Sequence, residues 1–216
     1  MASRIAGVVA GKVEKKTKPQ NGTALKAEDE RVVIKRPNIK TAAFKIVGTS
    51  PYVQHKFSGR ILQEIHDKQA AGSVAKKGDK RAPKDFQALY EGSQHHMEDG
   101  SNGLPATAFR NGLVSACRIC GYQMTRAKLA LFVEADGHDK DGTPLIRFTK
   151  GRPEYFEAPT RNDNGVMDLR ARARWNAGWE ATVRIKFDAD MFDVTSIANL
   201  LMRVGMQVGI GEGRPD

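Results

Sequence analysis

Three arginines alternate with apolar residues in the segment LRARARW. Arg170, Arg172 and Arg174 would lie on one face of a β-strand. The opposite face would carry Leu169, Ala171, Ala173 and Trp175. Guanidiniums spaced about 6.5–7 Å apart along a strand repel one another unless an anion lies across them. The row therefore predicts contacts with the phosphates of a nucleic-acid strand. The alternative is a solvated face paired with acidic residues of a neighbouring strand, such as Glu180.

The segment VGIGEGRPD contains three glycines at alternate positions, Gly209, Gly211 and Gly213, followed by Arg214. Alternate glycines allow the backbone to run close to another surface, with its N–H groups available to phosphate oxygens. A dinucleotide-binding fingerprint is excluded because the segment follows a predicted helix and belongs to no βαβ unit. The pattern predicts a phosphate-contacting loop, and the alternative is a loose tail.

The remaining reactive residue types form no recognisable catalytic or metal-binding pattern. Cys117 and Cys120 form a C-x-x-C within an apolar helical stretch, and the histidine pair at 95–96 is a poor second half of a zinc site. Both cysteines are therefore predicted to be buried thiols. His55 and His66 lack a carboxylate or nucleophile at a characteristic spacing. We predict no catalytic residue, no metal and no cofactor.

Composition indicates a protein that attracts polyanions. The 216 residues include 35 Lys and Arg against 25 Asp and Glu, a net charge of +10. The hydrophobic fraction of 40% suits a folded core. No apolar run approaches the roughly 20 residues that cross a bilayer, so no membrane association is predicted. Two cysteines cannot form a disulfide framework, which favours the cytoplasm.

The pattern along the chain predicts a flexible basic arm over residues 1–40 and a single domain over 41–216. A second flexible basic segment, 72–84, carries Lys76, Lys77, Lys80 and Arg81. Strands are predicted over 42–48, 129–135, 144–149, 154–158, 167–175 and 180–187, and helices over 58–71, 85–93, 105–121 and 193–206. Because strands and helices are mixed without strict alternation, the predicted class is α+β with an antiparallel sheet.

Three segments, in order, resemble motifs of the RAMP superfamily of CRISPR-associated proteins. FKIVGTSPYVQH resembles the first strand and turn of that superfamily, and VGIGEGRPD resembles its glycine-rich loop. LPATAFRNGLVSACR is similar to its internal helix motif, here carried by Pro105, Thr107, Arg110, Leu113 and Val114. Within the superfamily the chain resembles the Cas-seven-like backbone subunits, which polymerise along a guide RNA. It also resembles phage proteins of this type.

The resemblance implies a modified ferredoxin-like or RRM-like antiparallel sheet, with helices on one face and inserted loops. It also implies side-by-side assembly along a strand into a helical or filamentous homo-oligomer, and it adds Arg110 to the binding residues. In the family the glycine loop leads into a last strand. This chain ends at Asp216 before such a strand, so truncation or completion by a neighbouring subunit is expected.

The sequence thus predicts a non-enzymatic protein that binds single-stranded RNA or DNA in a bacterial cytoplasm, encoded by the bacterium or by a phage. Tyr52, Phe57 and Trp175 are candidate stacking residues. Two alternatives remain. One is a RAMP-type endoribonuclease that uses His55 or His66. The other is a phage structural or assembly protein that binds polyanions.

Overall fold

The structure, a computed structural model, describes residues 34–56, 59–70, 83–161 and 164–212. Contacts between Cα atoms divide the chain into Met1–Arg36 and Pro37–Asp216, and every element named below belongs to the second unit. Most of the predicted arm (1–33) and of the basic segment 72–84 (its residues 72–82) lies outside the described residues.

The elements follow one another in a mixed order. They are β1 (Ile39–Val47), β2 (Tyr52–Gln54), α1 (Gly59–Ala70), α2 (Phe86–Gly92), β3 (Gly103–Pro105), α3 (Ala106–Ile119), α4 (Met124–Ala130), β4 (Leu131–Val133), β5 (Gly137–His138), β6 (Pro144–Lys150), β7 (Glu154–Arg161), β8 (Met167–Trp175), β9 (Glu180–Asp188) and α5 (Val194–Arg203). A π-helical turn, Val204–Val208, continues α5.

Within the described ranges the strands form two sheets in which every pairing is antiparallel. The larger sheet has the order β1-β9-β6-β3, with β4 also paired to β9 and β5 to β6. The smaller sheet has the order β2-β8-β7. The mixed α and β content with antiparallel sheets agrees with the predicted α+β class.

The core lies between the larger sheet and helices α3 and α5. Strand β9 alternates strictly, so that Ala181, Val183, Ile185 and Phe187 are buried on one face. Helices α3 and α5 pack against this face with the apolar residues Leu113, Cys117, Ile197 and Leu201. The N-terminus of α5 is fixed by Asp193, whose carboxylate accepts the Ser196 N–H at 2.6 Å.

An aromatic cluster joins the two sheets. Phe148 of β6 stacks on Trp175 of β8 with ring centroids 4.6 Å apart, and Tyr52 of β2 lies 5.7 Å from Trp175 and 5.9 Å from Trp179. Tyr52 and Trp175 are both buried. The prediction that Trp175 stacks on nucleobases is therefore wrong, because its ring is buried between the sheets. Tyr52 belongs to the same buried cluster and offers no exposed stacking face, although it also borders a cavity. Phe57, the third candidate, lies outside the described residues.

Most predicted elements are confirmed, with two kinds of difference. Asp85 caps α2 as expected, since its carboxylate accepts the Ala88 N–H at 3.0 Å. The strand predicted over 129–135 is instead the end of α4 followed by the short β4. Strands of two or three residues, namely β2, β3 and β5, were not predicted.

Within the described part of the chain, no helix has the length and apolar character that crossing a bilayer requires.

Candidate nucleic-acid interface

The three arginines of β8 lie on one face of the smaller sheet, here called the arginine row (Arg170, Arg172 and Arg174). Their partners across the pairing with β7 are Ala158, Phe156 and Glu154, respectively. The opposite face of β8 buries Ala171, Ala173 and Trp175. The predicted alternation of this strand is therefore confirmed. The side chains of Arg170, Arg172 and Arg174 are 31%, 10% and 31% exposed to solvent, respectively.

A carboxylate of the same chain lies across two members of the row. Arg172 Nε donates to Glu212 Oε2 at 2.6 Å, and Arg170 Nη1 lies 3.5 Å from Glu212 Oε1. The Glu212 N–H donates to the Val53 carbonyl at 3.0 Å, which ties this residue to β2. The row is thus partly covered rather than fully exposed. Its central guanidinium already has an anionic partner.

The acidic partner suggested from the sequence was the wrong one. Glu180 lies on the larger sheet, where its carboxylate is 2.8 Å from Lys45 Nζ and 3.8 Å from Lys150 Nζ. The true partner, Glu212, lies within the glycine segment itself. The local sequence pattern gave no signal for this contact, because 40 positions separate Arg172 from Glu212.

Arg174 is the least paired arginine of the row. Its guanidinium carbon lies 4.5 Å above the centre of the Phe156 ring, and its Nη2 is 3.9 Å from Glu154 Oε2. Its Nε is buried and has no hydrogen-bond partner among the described residues. A buried donor left unpaired costs about 1–3 kcal/mol. An anion that accepted a hydrogen bond from Arg174 Nε would therefore gain binding free energy.

His55 lies beside the same carboxylate, with its Nδ1 3.8 Å from Glu212 Oε1. Burial lowers the pKa of His55, and the charge of Arg172 lowers it further, whereas Glu212 acts in the opposite direction. The neutral imidazole is therefore favoured near pH 7. His66, the other candidate base, is exposed on α1 next to Asp67.

The glycine loop makes its close approach to the protein's own backbone. Gly209 and Gly211 have φ values of +70° and +96°, which favour glycine. The Gly209 N–H donates to the Val204 carbonyl at 2.7 Å, and the N–H that follows Gly211 is bonded to Val53. These two N–H groups are therefore not available to phosphates, contrary to the prediction. Gly213 and Arg214 lie outside the described residues.

Gly211 and Gly205 should respond oppositely to alanine. A Cβ on Gly211 would lie 2.8 Å from Tyr52 Cε2 and 2.8 Å from the Val53 oxygen, whereas a Cβ on Gly205 would meet no atom within 4 Å. We expect Gly211→Ala to lower the free energy of unfolding by about 1–3 kcal/mol. Gly205→Ala, in a helical turn, should raise it by about 0.5–1 kcal/mol. Urea denaturation measures both, and equal midpoints would contradict this account of the loop.

Arg110 has a structural role that differs from the predicted one. Its Nε donates to the Leu131 carbonyl at 3.0 Å and its Nη2 to the Lys128 carbonyl at 2.7 Å. The guanidinium also lies 5.5 Å above the Phe132 ring. These contacts fix the junction between α4 and β4. The predicted binding residues Lys76, Lys77, Lys80 and Arg81 lie outside the described residues.

The two cysteines differ in environment. Cys117 is buried, and burial raises the pKa of its thiol to about 11. Cys120 is exposed at the end of α3, so the prediction that both thiols are buried is wrong for this residue. Among the described residues, no three histidine, cysteine, aspartate or glutamate side chains are grouped as a metal site requires.

A buried polar network around Asp139 was not predicted. Asp139 Oδ2 lies 2.7 Å from His95 Nδ1 and 3.0 Å from Lys56 Nζ, and Oδ1 accepts the N–H groups of Asp141 and Thr143. These partners hold the pKa of Asp139 well below its usual range, against the effect of burial. Burial lowers the pKa of His95, although its hydrogen bond to Asp139 opposes this shift. The network joins the end of β2 to the β5–β6 turn.

Comparison with known proteins adds no further assignment. Neither the models of protein families nor the sequences of curated proteins gave a match to this chain. The geometry of the arginine row is therefore the basis for any functional argument.

Proposed function

We propose that the chain binds single-stranded nucleic acid along its sugar-phosphate backbone through the arginine row, without a catalytic step, and that copies assemble side by side on the strand. The observation that carries this proposal is the convergence of Arg170 and Arg172 on the two oxygens of Glu212, at 3.5 and 2.6 Å. A phosphate offers guanidinium groups the same kind of paired oxygen acceptors as a carboxylate.

In this proposal the Glu212 carboxylate occupies the position of a phosphate until a strand replaces it. Glu212 lies between Gly211 and Gly213 in the sequence. Glycine backbone changes conformation at low cost. Arg174, with its unpaired Nε, lies next along β8. The spacing of alternate residues along a strand, about 6.5–7 Å, suits successive phosphates. The net charge of +10 adds long-range attraction.

The strand arrangement supports a ferredoxin-like unit as part of this proposal. Strand β9 lies between β1 and β4 and is antiparallel to both, α3 lies in the connection from β1 to β4, and α5 follows β9, so the chain order is β1–α3–β4–β9–α5. The outer edge of β1 has no strand partner within the described ranges. An open edge of this kind accepts a strand from another chain. This supports side-by-side assembly.

Removing the competing carboxylate should strengthen binding. We expect Glu212→Gln to bind a short labelled single strand about tenfold more tightly at low salt, because a hydrogen bond to a charged group contributes about 1.5 kcal/mol. Fluorescence anisotropy with RNA, single-stranded DNA and duplex DNA measures this change. The single strands should bind more tightly than the duplex.

Glu180→Gln provides a matched control for this experiment. It removes the same charge from a carboxylate that pairs with Lys45 on the larger sheet. If the two variants bind equally, the gain is a general effect of net charge and Glu212 does not compete for the row. If the unmodified chain binds no single strand, the proposed function is wrong.

A further inference from the structure

A small cavity opens next to the arginine row. It has a volume of about 190 Å³ and lies between the turn 48–51 and the π-helical turn. The aromatic residues Tyr52, Phe109 and Trp179 contribute to its lining. Glu212 also lines it, so one residue borders both the cavity and the arginine row.

The lining of the cavity suits a flat aromatic group with polar edges. The aromatic residues and the aliphatic side chains of Leu201, Val204 and Ile210 provide apolar surface, while Thr49, Ser50 and Glu212 provide polar groups. The Gly48 N–H and carbonyl and the Ser50 carbonyl are already hydrogen-bonded within the chain. Sites for drug-sized ligands are larger, about 300–1,000 Å³. This cavity therefore has room for one ring system rather than for a whole cofactor.

We propose that this cavity receives one unpaired nucleobase of the strand whose phosphates contact the arginine row. The inference rests on the proposed function and adds a base-binding subsite to it. Glu212 connects the two parts, because the phosphate that replaces its carboxylate on Arg172 brings the attached nucleotide to the mouth of the cavity. The π-helical turn forms one wall, and such turns occur frequently at functional sites.

A cavity of this kind distinguishes single strands from duplexes without reading sequence. Every base has a face that packs on aromatic surface, so the site accepts different bases. A paired base would first have to leave its stack, which costs a few kcal/mol. The subsite therefore contributes selectivity for unpaired nucleotides, whereas the arginine row contributes affinity for phosphate.

Gly205 allows the cavity to be filled without disturbing the fold. It lines the cavity, and a Cβ added there would meet no atom within 4 Å.

The probes are oligothymidylate and an abasic strand of the same length and charge. The unmodified chain should bind oligothymidylate about tenfold more tightly than the abasic strand, a factor within the range that base–aromatic stacking provides. Gly205→Leu should abolish this preference and leave abasic binding unchanged, and Gly205→Ala should retain the preference.

The possible results separate this inference from the proposed function. Equal binding of both strands by the unmodified chain would overturn the base subsite and leave phosphate binding intact. A Gly205→Leu variant that melts no lower than the unmodified chain and still prefers oligothymidylate would also overturn it. Binding of neither strand would overturn the proposed function, and the subsite with it.

Discussion

Replacing Asp139 by alanine is expected to lower the free energy of unfolding by about 3–5 kcal/mol, the usual cost of removing one partner of a buried ion pair. The Asp139 side chain is 1% exposed and lies within 3.0 Å of both Lys56 Nζ and His95 Nδ1. Without it, the Lys56 ammonium and two backbone N–H groups lose an acceptor. Denaturation with urea at pH 7 measures the change.

Asp141→Asn is the matched control for this prediction. Asp141 also pairs with Lys56, at 2.6 Å, but its side chain is 49% exposed, so its loss should cost only about 0–1 kcal/mol. Equal losses for the two variants would show that burial does not determine the strength of this network.

The contribution of Asp139 should also depend on pH. Its pKa is lowered in the folded protein, so its stabilising effect is present above the ordinary carboxyl pKa of about 3.9 and is lost as the pH falls below that value. The difference in unfolding free energy between the unmodified chain and Asp139→Ala should therefore narrow below about pH 4. A constant difference down to pH 3 would contradict an ionised Asp139.

The double variant Arg170→Gln/Arg174→Gln should reduce the salt dependence of binding. Each phosphate contact on a single strand contributes about 0.7 to the slope of log affinity against log salt, so the slope should fall by about 1.4. The loss should be similar for unrelated sequences, because phosphate contacts carry no base information. This variant retains the bond between Arg172 and Glu212. Arg172 is kept because removing it would leave Glu212 without its 2.6 Å partner, and the variant would then also change how the last segment is held.

Arg118→Gln/Lys128→Gln is a control with the same change in net charge. Both residues are exposed, on α3 and α4 rather than on β8. The salt slope should be nearly unchanged in this variant. If the two double variants reduce the slope equally, the strand is attracted by total charge and the arginine row is not its path.

The sequence predicted β8 well over 171–175, where apolar residues alternate with arginines, whereas Leu169, assigned to the buried face, is 38% exposed. Ala171, Ala173 and Trp175 are buried and the arginines lie on the other face, as a period of two requires. The prediction of a strand at 129–135 failed at α4, because LALFV has strand-like composition while the helix ends only at Ala130. Leu129, which was assigned to the strand, is exposed on the helix.

The candidate site was predicted only in part because its decisive contact joins distant residues. The pair of Arg172 and Glu212 is separated by 40 positions, and that of His95 and Asp139 by 44. Local periodicity reports which face a side chain occupies but not which segment packs on that face. The sequence could therefore identify the arginine row but not the carboxylate on it.

The π-helical turn determines which residue of the last segment faces the arginines. Its hydrogen bond runs from the Gly209 N–H to the Val204 carbonyl, five positions earlier, instead of the four of an α-helix. One additional residue is thereby accommodated, and each residue of a regular helix corresponds to a rotation of about 100° and a rise of about 1.5 Å. The turn thus changes the rotation about the helix axis at which the chain enters the glycine segment. If residues 204–208 kept the α-helical repeat instead, every following residue would be displaced by one helical position, about 100° and 1.5 Å, and Glu212 would not face Arg172.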